Sequence, residues 1–318
     1  MIVHLNGRLI PREQATVSAF DRGFIFGDGV YEGLRSFRGR VVGMERHLRR
    51  MRDGLREARI EFDPETLTPA TAALLESNSL PDAFIYWQVT RGTPGPGQPV
   101  RSRLPAGPIT PTVFGYCSPQ PPFERFTAPP TITCTVVQDT RWRRGHLKSI
   151  SLLGNILAAL EGQEAGSQDA IMVRDGLVSE ASATNVIIAL PLPGEPGHPR
   201  PGPCELVTPS LDGVSILGGI TRELLVDFVP DLQVRDIREE ELFRASEVML
   251  VGTTSMVTAV THLSGRAIGD GTPGPMARRL LNDLLGIIND DLRLGIALPL
   301  PARGEPPPVA AVPGLAPA

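Results

Sequence analysis

The chain has 318 residues, 41% of them apolar and 21% charged, with a net charge of -4 at neutral pH. That mild acidity excludes a nucleic-acid partner held by bulk charge, and no apolar run is long enough to span a membrane. Three scattered cysteines without a CxxC pair, five histidines without ligand spacing and an opening MIVHLNGRLI without a signal-peptide pattern point to a cytoplasmic protein with reduced thiols and no metal site.

The length makes two domains the default. IVHLNGRLIP alternates like a strand and turns back at Asn6-Gly7, a hairpin. In SAFDRGFIFGDGVYEGLRSFRGRVV, glycines punctuate short apolar runs, and GLRSFRGRVVGM reads as a second hairpin. ERHLRRMRDGLREARIEF is an arginine-rich amphipathic helix with Leu48, Met51, Leu55 and Ile60 on one face. Its interleaved Glu45, Asp53 and Glu57 argue against a nucleic-acid-binding helix. A second helix over ETLTPATAALLESN and a strand over DAFIYWQVTRG follow, and GTPGPGQPVRSRLPAGPITP must be a long loop. The chain returns to strand in VFGYCSPQ, and the proline cluster after it sets a domain boundary near 117–125. Residues 1–120 form one domain, 121–125 a linker and 126–296 the second domain.

TITCTVVQDTRWRRGHLK is a strand running into Lys148. The helix around 150–166 is expected to bury Ile150, Leu152, Leu153, Ile156, Leu157 and Leu160, which fall at helical spacing. DAIMVRDGLVSEASATNVIIAL is a strand pair turning at Asp175-Gly176. PLPGEPGHPRPGPCELVTPS reads as a surface excursion, and ILGGITRELLVDFVP starts a helix after a glycine pair. A short helix, two strands around the polar turn GTTS and a last helix over PGPMARRLLNDLLGIINDDLR complete the pattern, while the Pro/Ala-rich tail 297–318 reads as disordered. Strands and helices mix without a βαβ rhythm, so the fold class is α+β.

Lys148 just ahead of an apolar helix is either an ordinary solvated charge or an amine at the edge of a pocket. Glu180, at the end of a strand in VSEASATN, is likewise either an exposed acid or a carboxylate turned into a cavity. Three places can hold a phosphate: the helix start at Ile220 and Thr221, the turn Gly252 to Ser255, and Arg50. Each has a bland alternative, and neither GxGxxG nor GxxxxGK[ST] is present, which argues against nucleotides. A lysine, a carboxylate and a phosphate cradle together are what pyridoxal phosphate requires: an amine for the Schiff base, an acid beside the ring nitrogen and an anchor for the phosphate.

The segments FDRGFIFGDGVYEGLRSF, ERHLRRM, YWQVTRG, DTRWRRGHLKSISLLGNILA, DGLVSEASATNV, ILGGITRELL and VGTTSMVTAV, in this order, resemble the fold-type IV pyridoxal-phosphate enzymes, the class IV aminotransferases, from about residue 3 to about residue 290. The resemblance implies a small N-terminal α/β domain, a larger C-terminal pseudo-barrel domain, the cofactor between them and a homodimer. It implies that Lys148 is the Schiff-base lysine and proton shuttle and that Glu180 partners the pyridine nitrogen. Arg50, Ile220, Thr221, Thr253 and Thr254 hold the phosphate, and Leu217 packs on the ring. Ser182, Thr184 and Asn185 support ring and acid, while Tyr31 lies at the wall near the substrate carboxylate, with Arg35 and Tyr86 on the substrate side.

DTRWRRGHLKS and VGTTSMVT are most similar to D-amino-acid transaminases, which implies ping-pong exchange of an amino group between a D-amino acid and a 2-oxo acid. In that subgroup an Arg and a His follow VTRGT and clamp the substrate carboxylate; here Pro96 and Gln98 stand in their places. Arg35, Arg101 and Arg103 are the cations left on the same loops, and Tyr31-Glu32-Gly33-Leu34-Arg35 is similar to branched-chain enzymes. Branched-chain L-amino-acid and (R)-amine transaminases, a β-eliminating aminodeoxychorismate lyase and a non-catalytic reuse of the scaffold therefore stay open.

Overall fold

The computed structural model describes residues 1–192 and 204–296, so the tail from residue 297 and most of the Pro/Gly-rich excursion lie outside the described residues. Among the described residues no helix is long and apolar enough to cross a membrane. The chain forms two compact units: Met1–Phe123 with Arg141–Ile156, and Glu124–Thr140 with Leu157–Ala318 so far as it is described.

In the first unit β1 (Ile2–Leu5) and β2 (Arg8–Pro11) form the expected hairpin. A short helix missed in the glycine-punctuated stretch, α1 (Arg22–Phe26), is capped by the Asp21 carboxylate, which accepts from Gly23 N–H at 2.7 Å. Then follow β3 (Gly29–Phe37), β4 (Arg40–Val41), α2 (Met44–Ala58), α3 (Leu67–Asn78), β5 (Ala83–Thr90) and β6 (Thr112–Pro119). The strands make one antiparallel sheet in the order β2-β1-β6-β5-β3-β4. Strand periodicity gives it two unlike faces. Val30, Leu34, Ile85, Trp87 and Val89 face α2 and α3 and pack on Leu48, Met51, Leu55 and Leu74. Each such buried side chain contributes about 1.5–3 kcal/mol. The other face carries Tyr31, Tyr86, Gln88, Phe114 and Tyr116, all half-buried.

The second unit contains β7 (Thr131–Gln138), the C-terminal part of α4 (Leu153–Glu164), β8 (Asp169–Arg174), β9 (Leu177–Ala181) and β10 (Asn185–Pro191). After these come β11 (Cys204–Thr208), α5 (Ile220–Phe228), β12 (Leu232–Val234), α6 (Glu239–Leu242), β13 (Glu247–Gly252), β14 (Met256–Leu263), β15 (Arg266–Ala267) and α7 (Pro275–Asp291). Their nine-stranded sheet runs β12-β11-β10-β13-β14-β7-β8-β9 with β15 on β14, and it is parallel at β11/β12, β14/β7 and β7/β8. The β8–β9 turn falls at Asp175-Gly176, both at positive φ (53° and 76°), as the dipeptide predicts.

Two expectations are corrected. Within the excursion 191–210, the described residues are not all surface loop: CELVT is β11, an inner strand with Leu206 and Val207 buried. The prolines around it masked its short apolar run. In addition, α4 does not bury its large residues. Leu153, Ile156, Leu157 and Leu160 are 67%, 52%, 47% and 44% exposed, and the buried positions are Ala158 and Gly162. The helix docks through its small side: a Cβ at Gly162 would stand 2.7 Å from the Asp169 carbonyl oxygen, so only glycine lets the helix backbone come this close to β8.

Candidate active site

In the first unit the segment after Thr140 is not helix at Lys148. It lies along the start of β3: Tyr31 N–H donates to Lys148 C=O at 3.0 Å, Ile150 N–H donates to Gly29 C=O at 3.2 Å, and Val30 and Ser149 form a bridge. This pairing fixes the lysine side chain over a β3 tyrosine. Lys148 Nζ lies 3.3 Å from Tyr31 Oη and 4.3 Å from the centre of the Tyr31 ring. Tyr86 stacks on Tyr31 and donates to Gln88 Oε1 at 2.8 Å.

The neighbouring residue, Glu32, points to the opposite face, where it is buried against α2. Arg50 grips it with two parallel bonds, Nε to Oε1 at 2.7 Å and Nη2 to Oε2 at 2.6 Å, and His47 Nδ1 lies 2.7 Å from Oε2. Burial alone would raise the Glu32 carboxyl, but the charge and hydrogen bonds of Arg50, with His47, hold it at about 2. His47 is lowered by its burial, which outweighs the Glu32 bond that would raise it. Glu32 and His47 were not among the residues singled out in the sequence. The signal available was His47 and Arg50 at i, i+3 on the same side of α2 as Leu48 and Met51, where a polar pair needs a buried acid.

Arg35 stands apart from the Lys148–Tyr31 pair. Its guanidinium donates to Gln120 Oε1 at 2.8 Å and to the Pro121 carbonyl, and it lies over the Phe37 ring. Arg101 and Arg103 are exposed, and the carbonyls of Ser102 and Arg103 accept from buried Arg22 at 2.6 and 2.9 Å.

In the second unit Glu180, at the end of β9, is 6% exposed. Its Oε2 accepts from Asn185 Nδ2 and from Leu217 N–H, both at 3.2 Å. Asn185 Nδ2 also donates to Leu217 C=O at 2.9 Å, and its Oδ1 accepts from Gly219 N–H at 3.1 Å. One amide thus joins the acid to the residue capping α5. That cap has no side-chain acceptor, so the helix opens with the N–H groups of Ile220 and Thr221 uncapped by a side chain. Ser182 is taken up by Asp169, which it hydrogen-bonds. Thr184 Oγ1 and Ser255 Oγ are buried without a partner. They flank Gly252, where a Cβ would stand 2.8 Å from Thr184 Cγ2 and 2.9 Å from Ser255 Oγ. Thr253 and Thr254, half-buried, form the tip of the same turn.

A buried hydroxyl with no acceptor is costly unless a ligand takes its hydrogen. Two such hydroxyls and an uncapped helix start make a set of neutral donors suited to a phosphate. Thr184 was expected beside the acid, and Ser255 closes the turn Gly252 to Ser255 that was expected to hold a phosphate.

A family model described as amino-transferase class IV matches residues 29–263. The D-alanine aminotransferase of Bacillus licheniformis is 32% identical over 288 residues, spanning 88% of this chain and 94% of that protein. The Escherichia coli branched-chain amino acid aminotransferase superposes with a TM-score of 0.79 at 21% identity, covering 91% of this chain and 95% of that one. A hypothetical aminotransferase from Mycobacterium tuberculosis, in its PLP-bound form, does so with a TM-score of 0.72 at 22% identity, covering 92% and 100%.

Proposed function

This chain belongs to the class IV aminotransferases and has their fold-type IV architecture, and from that premise we propose that it uses pyridoxal 5'-phosphate to move an amino group from a D-amino acid to a 2-oxo acid. The observation that carries the reading is the Lys148 amine held 3.3 Å from the Tyr31 hydroxyl by backbone pairing with β3. The D-preference is supported by the 32% identical D-alanine aminotransferase.

When bound, the cofactor supplies an aldehyde for the Lys148 amine and a ring that accepts the electron pair of the donor's Cα–H bond. Lys148 Nζ would take the proton released at Cα and return it to the carbon on the other side of the transferred nitrogen, while the Tyr31 hydroxyl orients Nζ. Glu180, held by the Asn185 amide and Leu217 N–H, would be the acid that partners the ring nitrogen. Ile220 and Thr221 N–H, the Thr253 and Thr254 turn and the Thr184 and Ser255 hydroxyls would hold the phosphate, and Arg50, oriented by Glu32, is the cation proposed to add to them. Leu217 would pack on the ring, and Tyr86 and Tyr31 would line the substrate side. Arg35, committed to Gln120 and Pro121, supports the sheet rather than the substrate.

The enzyme works in the cytoplasm on small molecules, without nucleic acid or membrane; its net charge of -4 supports the absence of a nucleic-acid partner. It is a homodimer, for which the stripe of Leu153, Ile156, Leu157 and Leu160 on α4 is the support, since four large apolar residues on one helix face favour a covering partner. Leu160→Glu then shifts the dimer to monomer in size-exclusion chromatography.

The deciding experiment incubates the yellow holoenzyme with D- and L-alanine, D-glutamate, L-leucine and (R)-1-phenylethylamine, each with a 2-oxo acid. D-amino acids are expected to give the highest transfer rates. L-leucine or the amine leading the panel moves the assignment to the branched-chain or amine subgroup, and transfer from no donor overturns it.

A further inference from the structure

The face of the first unit's sheet turned away from α2 and α3 carries a run of aromatic rings that begins at the reactive amine. Tyr31 of β3 stacks on Tyr86 of β5 with centroids 5.6 Å apart and planes at 29°. Tyr86 lies against Tyr116 of β6 at 5.3 Å and 30°, and Phe114 continues the run 5.9 Å beyond. The register builds this ladder. Gly33, Tyr86 and Tyr116 stand directly opposite one another on three neighbouring strands. Gly33 brings no side chain, so Tyr31, two residues earlier on the same face, leans across to Tyr86. A Cβ at Gly33 would stand 2.8 Å from the Phe84 ring, so the rung has no room for one.

These rings are not core. The core aromatic of the unit, Trp87, is fully buried, whereas Tyr31, Tyr86 and Tyr116 stay half-buried on a face that α2 and α3 leave open. The rings themselves carry no charge. Burial pushes the Tyr86 phenol up, so it stays protonated and donates to Gln88. The neighbouring buried guanidinium groups are occupied: Arg22 by Asp28 and two loop carbonyls, Arg35 by Gln120 and Pro121, and Arg91 by Asp28 and the carbonyls of Ala58 and Arg59. A row of neutral π faces next to an amine suits a flat apolar group better than a carboxylate, which a ring face does not solvate.

Resting on the aminotransferase reading of Lys148, we propose that the Tyr31–Tyr86–Tyr116 ladder is the surface on which the donor's side chain lies, and that it selects amino donors bearing an aromatic ring. Tyr116, the rung farthest from Lys148, is the specificity-determining residue of the set: it meets the side chain and not the reacting atoms.

The test compares kcat/KM for D- and L-phenylalanine with that for D- and L-alanine in the holoenzyme and in Tyr116→Phe, Tyr116→Leu and Tyr116→Ala. The phenylalanine-to-alanine ratio is expected to lie well above one in the wild type and to persist in Tyr116→Phe. In the leucine and alanine variants it falls about tenfold, the loss expected when an aromatic pair is removed. Independently of turnover, 3-phenylpropionate and propionate are titrated against the holoenzyme while its cofactor absorbance is followed. The aromatic acid binds about tenfold tighter, and Tyr116→Leu removes the difference. A wild type that prefers alanine, or a Tyr116→Leu protein with the preference and the phenylpropionate affinity both intact, overturns the ladder. If no donor transfers its amino group, the aminotransferase reading fails instead, and the phenylpropionate titration still decides the ladder.

Discussion

The two units carry opposite electrostatic designs. The first concentrates charge: Lys148 beside Tyr31, and Glu32 locked between Arg50 and His47 under the same strand. The second offers neutral donors, uncapped helix amides and two orphaned hydroxyls, around one carboxylate tied down by an amide. A buried ion pair holds its geometry because separating it is expensive. Neutral donors with nothing to hold are ready for an anion without first giving up a partner. On the proposed reading, the Lys148 amine lies where a proton would move, and neutral donors lie where a phosphate would rest.

The largest expected break in this comparison is Lys148→Ala. It should lower turnover by about a thousandfold or more, read in a coupled assay for the 2-oxo acid product, and bleach the yellow colour. Residual turnover within tenfold of wild type would place the proton transfer elsewhere.

Next comes Glu32→Ala, which leaves the Arg50 guanidinium without its bidentate partner and should reduce unfolding free energy by about 3–5 kcal/mol in urea titrations. The pH dependence sharpens the same point. Because folding holds the Glu32 carboxyl at about 2, below its ordinary 4.5, its contribution is complete above pH 4.5 and is lost as pH falls toward 2. His47, lowered on folding, adds a loss of the same sign as pH falls below its ordinary 6.5. Glu32→Gln should flatten the acid limb of the stability curve, and an unchanged limb would remove Glu32 from this account.

A smaller effect is expected in the second unit, with the opposite signature. Thr184→Val and Ser255→Ala each delete a hydroxyl that lacks a partner, so thermal unfolding of the cofactor-free protein should stay level or rise. Cofactor affinity should fall about three- to tenfold, by fluorescence titration. Destabilised cofactor-free variants would show that these hydroxyls serve the fold. The smallest effect belongs to the exposed Arg56–Asp53 pair on α2, where Arg56→Ala should change stability by less than about 0.5 kcal/mol.

The residues most legible in the sequence were those whose local chain signals their geometry. Asn6-Gly7 and Asp175-Gly176 announced hairpins because their backbone conformation favours these residue types. The glycine pair before Ile220 announced a helix start. Lys148, Glu180 and the GTTS turn could be named because ordered motifs surround them. Hidden from the sequence were features set by long-range packing. The α4 face looked like a core face because helical periodicity does not say which neighbour covers it. The short strand β11 disappeared among prolines. Glu32 read as one more strand residue, since its partners lie 15 and 18 positions away on a helix. Tyr116 acquired meaning only from the register that brings it against Tyr86.

Asn185 has a consequence that reaches beyond its own hydrogen bonds. One rigid planar group touches Glu180 on one side and Gly219 on the other, so it works as a gauge block between the carboxylate and the first turn of α5. The span between them is set by one planar amide and two hydrogen bonds of 3.2 and 3.1 Å, rather than by apolar packing. A molecule that must reach both is therefore measured end to end, and an analogue longer or shorter by one carbon has to buckle to make the same two contacts.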